Sequence, residues 1–424
     1  MSTLTSTMKS SAEYTSGSRR RVMGIVFLAL AAAIWILFAR TTQGQMVTTF
    51  TLNPGGSQAN FPNLEFITLP VLQGIAFVCA LLGGYQLMRG FGKRTNAILG
   101  LVAALFIFAF LSWVASGTSL NLAGLLRATL IRAVPITLGA LSGILCERAG
   151  VVNIAIEGMM LTGAMVAAIF GSLFGLWVGL LAGVLAGALL ALVHAILSIK
   201  YKTDQIVSGT VINIFSIGIT SFISAKFLAS SRHLNNPGIF PDIQIPGLVD
   251  IPFLGPIVFS HNVFFFGMVL LLALLHFGLF FTRWGLRLRS VGEHPKAADT
   301  LGINVFKTRY MAVILGGMMA GFGGAYFTLG SVGRFDEVMT AGRGFIGLAA
   351  MIFGNWNPFG AFGAGLLFGF ADMLAARLAI LGVRVPSEFL LMAPYIATMI
   401  VLAGVVGRGQ MPAADGQPYE KEGH

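Results

Sequence analysis

Apolar runs long enough to cross a lipid bilayer recur along the whole chain and limit what it can fold into. A membrane-spanning helix needs about 20 predominantly apolar residues. Runs of this order occur at residues 22–39, 67–88, 95–116, 128–145, 151–171, 174–199, 205–229, 262–281, 310–330, 359–381 and 386–406. A further run at residues 345–356 is too short to span as a straight helix. The pattern predicts an all-α polytopic integral membrane protein with about 10–12 transmembrane helices, some of them interrupted or re-entrant.

The composition excludes a soluble protein. Hydrophobic residues make up 56% of the 424 residues and charged residues only 10%, whereas a soluble domain carries roughly 25% charged residues. Too few polar groups remain to cover a water-exposed surface, so a cytosolic enzyme is excluded. Both cysteines, Cys79 and Cys146, lie in apolar runs, which leaves no disulfide framework and no cysteine-based metal site.

The basic residues predict the orientation in the membrane. Lys and Arg near the ends of spans resist translocation and mark cytoplasmic connections. Most of the 27 Lys and Arg obey this rule if the N-terminal tail that ends at Arg21 is inside, because the outer connections 41–66 and 231–259 then hold only Arg232. The net charge of +11 is therefore explained by the membrane rather than by nucleic acid.

Two segments break the regular pattern of spans in a similar way. Residues 147–164 (ERAGVVNIAIEGMMLTGA) and 342–365 (GRGFIGLAAMIFGNWNPFGAFGAG) each start with a polar, Gly-containing break and continue through a short helix-like piece into a Gly-rich span. Paired breaks of this kind can mark an internal repeat whose half-helix ends face a substrate path. If the second piece re-enters the membrane without crossing it, the C-terminus lies outside, although Arg408 argues against that orientation.

Glu157 is the ionisable residue placed deepest in a predicted span. A carboxylate at mid-bilayer costs roughly 2.5–3.5 kcal/mol on the insertion scale, so it needs a partner or a water-filled path. If residues 151–160 are helical, Asn153 and Glu157 share one face, where an amide and a carboxylate could bind hydroxyls or ring nitrogens of a polar solute. Alternatively, Glu157 caps backbone N–H groups or pairs with Arg132 or Arg148.

Other polar residues within the spans have both a structural and a functional interpretation. Asn213 lies in a stripe of Ser and Thr residues, which could bind solute or hydrogen-bond the carbonyls of their own helix. Asp372 and Arg377 could pair near the end of their helix, and His194 is interpreted as a packed residue. No cluster with metal-ligand spacing and no catalytic triad is visible, so we expect neither a metal site nor an enzyme.

The longest predicted cytoplasmic connection has a pattern of its own. Pro295 suits a first helical turn, and Ala297, Ala298 and Leu301 fit a short helix that Gly302 closes. A partner protein could move such a helix, although composition alone favours a solvated basic loop that faces anionic lipid. The chain contains no GxxxxGK[ST] phosphate loop, so an ATP-driven step would need another subunit.

Three segments together resemble one transporter family. CERAGVVNIAIEGMMLTGA (146–164), TRWGLRLRSVGEHPKAADTLGI (282–303) and MTAGRGFIGLAAMIFGNWNPFGAFGAGLLFGFAD (339–372) are similar, in this order, to the permease subunits of bacterial ABC importers of the branched-chain amino acid and simple-sugar class. The greatest similarity is to the nucleoside importer permeases. The resemblance covers roughly residues 122–406, and the part up to about residue 117 is less typical.

The resemblance implies a domain organisation and a fold. The fold would be that of a multi-helix importer permease in the inner (plasma) membrane of a bacterium. The parts would be a cytoplasmic tail at residues 1–21, a transmembrane extension at 22–117, the permease core at 118–406 with a cytoplasmic coupling loop at 282–309, and a second tail at 407–424.

The resemblance also implies partners and a mechanism. This chain and a second, similar permease would enclose a translocation path, and an extracytoplasmic solute-binding protein would deliver the solute. Two cytoplasmic ABC ATPase subunits would use ATP and Mg²⁺, whereas the permease itself would bind no cofactor and catalyse no reaction. A small polar solute, with a nucleoside as the first expectation, would move into the cytoplasm by alternating access.

Two groups of residues would carry these roles. Asn153 and Glu157 and the opposing segment with Gly344 and Phe345 would line the solute path, to which the polar stripe adds Asn213. The helix that couples to the ATPase would be formed by Gly292, Glu293, Pro295, Ala297, Ala298 and Gly302.

Other functions stay open on the sequence alone. A secondary transporter driven by protons or sodium could use Glu157 as its proton carrier, and a gated solute channel could use the same Gly-rich spans. Neither of them needs the patterned inner loop. An ABC permease for simple sugars or branched-chain amino acids has the same family features, whereas an integral membrane enzyme is disfavoured because no acid–base or nucleophile set is visible.

Overall fold

Helices of membrane-spanning length dominate the part of the chain that the structure describes. The computed structural model describes residues 17–53, 61–380 and 411–421. Among these residues, ten apolar helices are long enough to cross a membrane: Gly17–Ala39, Thr68–Met88, Gly92–Val114, Leu122–Glu147, Ile156–Phe174, Leu176–Lys200, Gln205–Leu228, Val263–Phe281, Val305–Val332 and Pro358–Ala376. Each coincides with a predicted run, which confirms the all-α polytopic membrane protein. The predicted run at 386–406 lies outside the described residues.

The secondary structure elements are numbered here in chain order. The helices are α1 (Gly17–Ala33), α2 (Thr68–Met88), α3 (Thr95–Val114), α4 (Leu122–Glu147), α5 (Ile156–Phe174), α6 (Leu176–Ala195), α7 (Gln205–Ile223), α8 (Leu254–Val258), α9 (Val263–Phe281), α10 (Arg283–Glu293), α11 (Pro295–Thr300), α12 (Val305–Phe327), α13 (Arg343–Phe353) and α14 (Pro358–Ile380). Short π-helical turns extend α1, α6, α7 and α12. The strands are β1 (Val47–Thr51), β2 (Leu64–Ile67), β3 (Ser119–Asn121), β4 (Ile243–Gln244) and β5 (Ser260–His261).

The chain divides into two compact units, and the first is Met1–Gly124. Helices α1, α2 and α3 pack around a core that includes Phe27, Leu72 and Val102. Gly24 and Gly83 let α1 and α2 approach closely, since a methyl group on either glycine would meet a leucine of the other helix at 2.6 and 2.8 Å. Strand β1 lies between β2, which is antiparallel to it, and β3, which is parallel to it.

The second unit, Leu125–His424, is built on helix contacts that only glycine permits. Gly187 of α6 lies against the backbone of α12 at Gly317 and Gly321. A Cβ atom added to Gly163 of α5 would lie 3.0 Å from the backbone of Gly321. Because the lipid tails are as apolar as the helix surfaces, such close backbone contact is a main source of helix association in a membrane. Helices α5, α6 and α12 therefore form one tightly packed group.

Both predicted interruptions are present, but the first differs from expectation. Residues 148–155 are not helical, and α5 begins only at Ile156. A helix over 151–160 was therefore a wrong prediction, because Gly150 adopts a φ of +84° and Asn153 accepts the Ala155 N–H in a local turn (3.1 Å). In the second interruption, α13 has 11 residues, too few to span a bilayer alone.

The described C-terminal segment, residues 411–421, lies against the predicted cytoplasmic connection. The Ala414 N–H donates to the Gly292 carbonyl (2.9 Å), and Lys202 pairs with Glu420 (2.5 Å). The rings of Tyr419 and Phe306 are 5.3 Å apart. This segment therefore lies on the same side as the basic connections, as Arg408 indicated.

Candidate functional site

The two interrupted segments meet at the N-terminus of α13, where Glu157 accepts three hydrogen bonds. Oε1 accepts from the Thr340 hydroxyl (2.6 Å) and the Gly342 N–H (2.8 Å), and Oε2 accepts from the Gly344 N–H (2.6 Å). A helix N-terminus carries unsatisfied N–H groups and partial positive charge, which a carboxylate complements. Glu157 is buried, and its predicted capping of N–H groups is confirmed, whereas the alternative partners Arg132 and Arg148 lie elsewhere.

The C-terminal end of α13 is held by the same segment of sequence. The Arg148 guanidinium donates to the Trp356 carbonyl from Nε (3.1 Å) and Nη2 (3.0 Å), and the Trp356 indole N–H donates to Glu147 (2.6 Å). Trp356 follows the last residue of α13, Phe353, so these bonds hold the turn directly after the helix. We call Glu147, Arg148 and Glu157 the half-helix clamp, because they hold α13 at both ends.

Gly344 and Phe345 face different surroundings. A methyl group on Gly344 would lie 2.7 Å from the backbone of Glu157, so only glycine allows α13 to reach the carboxylate. Phe345, in the first turn of α13, is 46% exposed. Further along α13, a methyl group on Gly347 would lie about 3.0 Å from the backbone of Gly139 and Ala140 in α4.

Asn153 and Asn213 do not share a helical face with Glu157. The Asn213 amide donates to the Ile154 carbonyl (2.9 Å) and accepts from the Gly158 N–H (2.8 Å). The Asn153 side chain accepts from the Ala155 N–H at Oδ1 and donates from Nδ2 to the Cys146 sulfur (3.4 Å). The expected shared face was wrong because the helix starts after Asn153. In this conformation both amides support the non-helical backbone of the break.

His194 also supports this break, as a packed residue. Its two ring nitrogens lie 3.0 Å from the Ser208 hydroxyl and 3.0 Å from the Val152 carbonyl, and the ring is buried. Within the described residues, no group of three or more His, Cys, Asp or Glu side chains could hold a metal ion.

Asp372 has partners that the sequence did not indicate. Its Oδ2 lies 2.6 Å from Nη1 of Arg132 and 3.4 Å from Nη2 of Arg343. The side chain of Arg377, its predicted partner, lies outside the part of the chain that the structure describes, while packing brings α4 and the start of α13 to Asp372. We call Arg132, Arg343 and Asp372 the charged triad.

The predicted short helix is present as α11, whereas Gly292 and Glu293, which the resemblance assigned to the same coupling helix, lie at the end of α10. Gly292 lies so close to the Arg148 carbonyl that a Cβ there would collide with it, and the Gly150 nitrogen would be 3.3 Å away. Burial lowers the pKa of the Arg148 guanidinium, and the nearby Glu293 carboxylate opposes this effect. The connection 282–304 thus touches the segment that holds α13.

The residues of the predicted coupling set differ in accessibility. Pro295 opens α11, and Gly302 ends the turn after it with a φ of +78°. Glu293, Ala297 and Gly302 are exposed. Ala298 is 2% exposed and packs with Val291, Val305 and Tyr419, so it does not lie on the surface offered to a partner. Leu301, which directly follows α11, is 81% exposed, although the sequence analysis did not include it among the coupling residues.

The attachment of residues 411–421 is expected to weaken as the pH rises through 7. Burial raises the pKa of Asp415 to about 7, and Glu147 and Arg309 lie beside it. Because the pKa of a free aspartate is about 3.9, the protonated form favours the attached state, and this contribution is lost as the pH rises through about 7. Limited proteolysis of the C-terminal segment should be faster at pH 8 than at pH 6.

Two matched variants test whether the pH dependence of this cleavage comes from Asp415 or from a pH-dependent loosening of the whole segment. Asp415→Asn should abolish the difference between pH 6 and pH 8. Glu420→Gln should keep it, because the hydrogen bond from Lys202 holds the pKa of Glu420 below its usual range. Equal cleavage of the unaltered protein at both pH values would contradict the prediction.

Known proteins similar to this chain share its transport role. Residues 125–406 match the family described as the permease component of branched-chain amino acid transport systems. The guanosine ABC transporter permease protein NupQ of Bacillus subtilis is 44% identical over 304 residues, which cover 69% of this chain and 95% of that protein. The nucleoside ABC transporter permease protein NupC of Lactococcus lactis is 41% identical over 302 residues, with the same coverage.

A sugar transport protein is also similar. A putative glucose ABC transporter permease protein of Haloferax volcanii is 34% identical over 331 residues, which cover 71% of this chain and 98% of that protein. No solved structure matches the chain.

The family match extends over the whole described core of the second unit, including the clamp, the charged triad and the coupling connection. It confirms the resemblance that the three sequence motifs indicated. The family consists of transport subunits, not enzymes. This chain is a multi-pass membrane protein that belongs to the family of permease components of branched-chain amino acid transport systems.

Proposed function

We propose that this chain moves nucleosides into the cytoplasm as one permease of an ABC importer in the inner membrane of a bacterium. The two relatives with identities of 44% and 41% are described as guanosine and nucleoside permeases. A second permease, two ATPase subunits that use ATP and Mg²⁺, and an extracytoplasmic solute-binding protein would complete the importer. The solute path would run past α13, with Phe345 exposed on it.

The observation that carries the mechanism is the contact between the coupling connection and the half-helix clamp. An ATPase subunit that pushes on α11 would move Gly292 against the backbone of Arg148 and Gly150. Arg148 is bonded to the C-terminal end of α13, and Glu157 lies at its other end. A cytoplasmic movement would therefore reorient a short helix beside the solute path, which is a physical basis for alternating access.

The ion-coupled carrier fits this geometry less well. All three donors around Glu157 point at its two oxygens, an arrangement that suits an acceptor-only carboxylate rather than one that carries a proton. Glucose is a second candidate solute, because a putative glucose permease is 34% identical.

Purification with the genomic neighbours tests the proposed assembly. The tag belongs at the N-terminus, since residues 411–421 are packed against the coupling connection. We expect an ABC ATPase and a second permease to co-purify in mild detergent, and loaded binding protein to stimulate ATP hydrolysis with guanosine more than with glucose. Stimulation by glucose alone would favour the sugar importer, and a chain that purifies alone would refute the ABC assembly.

Leu301→Asp is expected to release the ATPase subunits. Leu301 is 81% exposed next to α11, and a large apolar side chain at the centre of an interface is a common source of binding energy. The fraction of ATPase recovered with the tagged permease should fall at least about tenfold, since 1.4 kcal/mol corresponds to that factor. Leu248→Asp, at an exposed leucine in an outer connection, is the matched control and should leave recovery unchanged. Full recovery with Leu301→Asp would exclude Leu301 from the contact.

A further inference from the structure

The charged triad lies on helices of the membrane-embedded part of the chain, where charged side chains are energetically costly. Arg132 lies well inside α4 and Asp372 well inside α14, and Arg343 opens α13. Ionisable side chains within membrane spans are costly unless they face a water-filled path or the interior of the protein. The meeting of three such side chains from three helices therefore indicates an environment that compensates for their charge.

The described part of the chain does not bury the triad completely. The side chains of Arg132, Asp372 and Arg343 are 38%, 31% and 20% exposed. A surface that shows two guanidinium groups and a carboxylate cannot face lipid hydrocarbon at little cost. Among the described residues these groups are partly open, and a water-filled path is an environment that satisfies them.

A polar cavity lies along the same stretch of α4, where Ile131 lines it. It has a volume of about 140 Å³ and is lined by residues that include Arg127, Asp242, His261 and Tyr326. Tyr326 is within electrostatic reach of both Arg132 and Arg343. The cavity has room for a few water molecules at about 30 Å³ each, but it is too small for a nucleoside.

The chemistry of the triad is complementary to one kind of solute. Both arginines share Oδ2 of Asp372, and Arg343 also donates from Nη1 to the Thr340 carbonyl (3.4 Å), so neither contact uses Oδ1 of Asp372. A guanidinium fork pairs with adjacent carbonyl and ring-nitrogen acceptors, as it does with the O6 and N7 atoms of guanine. A carboxylate accepts from N–H and hydroxyl groups. With a formal sum of one positive charge, the group disfavours cationic solutes.

We propose that Arg132, Arg343 and Asp372 form a solute-contacting site within the membrane that binds the hydrogen-bonding edge of an oxopurine nucleoside during translocation. This inference rests on the proposed nucleoside transport function. In the described conformation the arginines hold Asp372. An arriving base exchanges these contacts for its own carbonyl and N–H groups, so the site binds it without needing a deep, tight pocket.

Uptake of two nucleosides into proteoliposomes tests the site. The complete importer with its binding protein is assayed with guanosine, whose base has a carbonyl at position 6, and with adenosine, which has an amino group there. Asp372→Asn and Arg132→Lys should lower the ratio of guanosine to adenosine uptake at least about fivefold. A purely structural role would lower both uptakes equally, and that result would overturn the proposal.

The matched control is an arginine–aspartate pair outside the spans. Arg334 and Asp336 are paired at 3.0 Å and are 63% and 49% exposed. The variants Arg334→Lys and Asp336→Asn carry the same chemical changes and should leave the uptake ratio unchanged.

Thiol labelling tests the site even if the charge variants fail to fold. Ala376 lies one helical turn beyond Asp372 on the same face of α14, and the native cysteines are buried. A membrane-impermeant thiol reagent should modify Ala376→Cys, and guanosine with binding protein should slow the modification. Leu189→Cys, at an exposed apolar position on α6, should stay unmodified because it faces lipid. No modification of Ala376→Cys would place the triad in a dry contact and overturn the proposal.

The two hypotheses fail in different ways. A complete importer that transports no nucleoside refutes the proposed function. A complete importer that transports guanosine and adenosine, in which the triad variants keep the unaltered ratio, refutes the site alone.

Discussion

Glu157→Ala is expected to abolish solute uptake by the assembled importer. The substitution leaves the Thr340 hydroxyl and the Gly342 and Gly344 N–H groups without their acceptor. Each buried group left unsatisfied costs about 1–3 kcal/mol, and even 1.4 kcal/mol corresponds to a factor of ten. Because α13 then loses its attachment to the first interrupted segment, uptake in proteoliposomes should fall to the background, and the midpoint of thermal unfolding should decrease.

Two further variants make this prediction specific. Asp336→Ala removes a carboxylate that is 49% exposed in the connection just before α13 and should leave uptake unchanged. Glu157→Gln keeps one acceptor oxygen but places an NH₂ group against a backbone donor, so it should retain part of the uptake. Complete loss of uptake with Glu157→Gln, while the packing of α13 stays normal, would instead support the proton-carrier hypothesis.

Gly292→Leu is expected to separate ATP hydrolysis from transport. A side chain at this position collides with the Arg148 carbonyl, and backbone atoms cannot rotate away as a side chain can. The coupling connection must therefore move off the segment that holds α13. We expect basal ATP hydrolysis to persist and its stimulation by loaded binding protein to be lost, with uptake reduced at least about tenfold, equivalent to 1.4 kcal/mol of lost coupling.

The control for this substitution is a glycine without neighbours. A methyl group on Gly218 of α7 would meet nothing within 4 Å, so Gly218→Leu should keep both stimulation and uptake. Normal stimulation in Gly292→Leu would show that the contact between Gly292 and Arg148 does not transmit the ATPase movement.

The errors in the sequence-based predictions share one physical cause. The sequence placed Asn153 on one helical face with Glu157, and it did not indicate the distant partners that packing gives to Asp372 and Glu157. The actual partner of Asp372 is 240 positions away in the chain, at Arg132, and Glu157 bonds Gly344 over 187 positions. Hydrogen bonds and ion pairs form between groups that packing brings together, and helical spacing reports only the neighbours along one helix.

The ends of the short helix α11 could be predicted from the sequence, whereas the exposure of its residues could not. Pro295 and Gly302 mark its start and end from the sequence, since each has a local conformational preference. Whether a residue of this helix faces a partner depends on what it packs against. Ala298 is buried against Val291 and Val305, whereas Leu301 is exposed, and their similar apolar character gives no indication of this difference.

The sequence by itself determined that the protein spans the membrane many times, where the spans lie, and which two segments interrupt them. These properties follow from local composition, because a bilayer of fixed thickness selects apolar helices of fixed length and every backbone group must be paired within them. The tertiary structure alone decided that the two interruptions form one site, with Glu147, Arg148 and Glu157 holding both ends of α13. That arrangement depends on glycine-mediated contacts between distant helices, whose partners are chosen by shape and not by spacing along the chain.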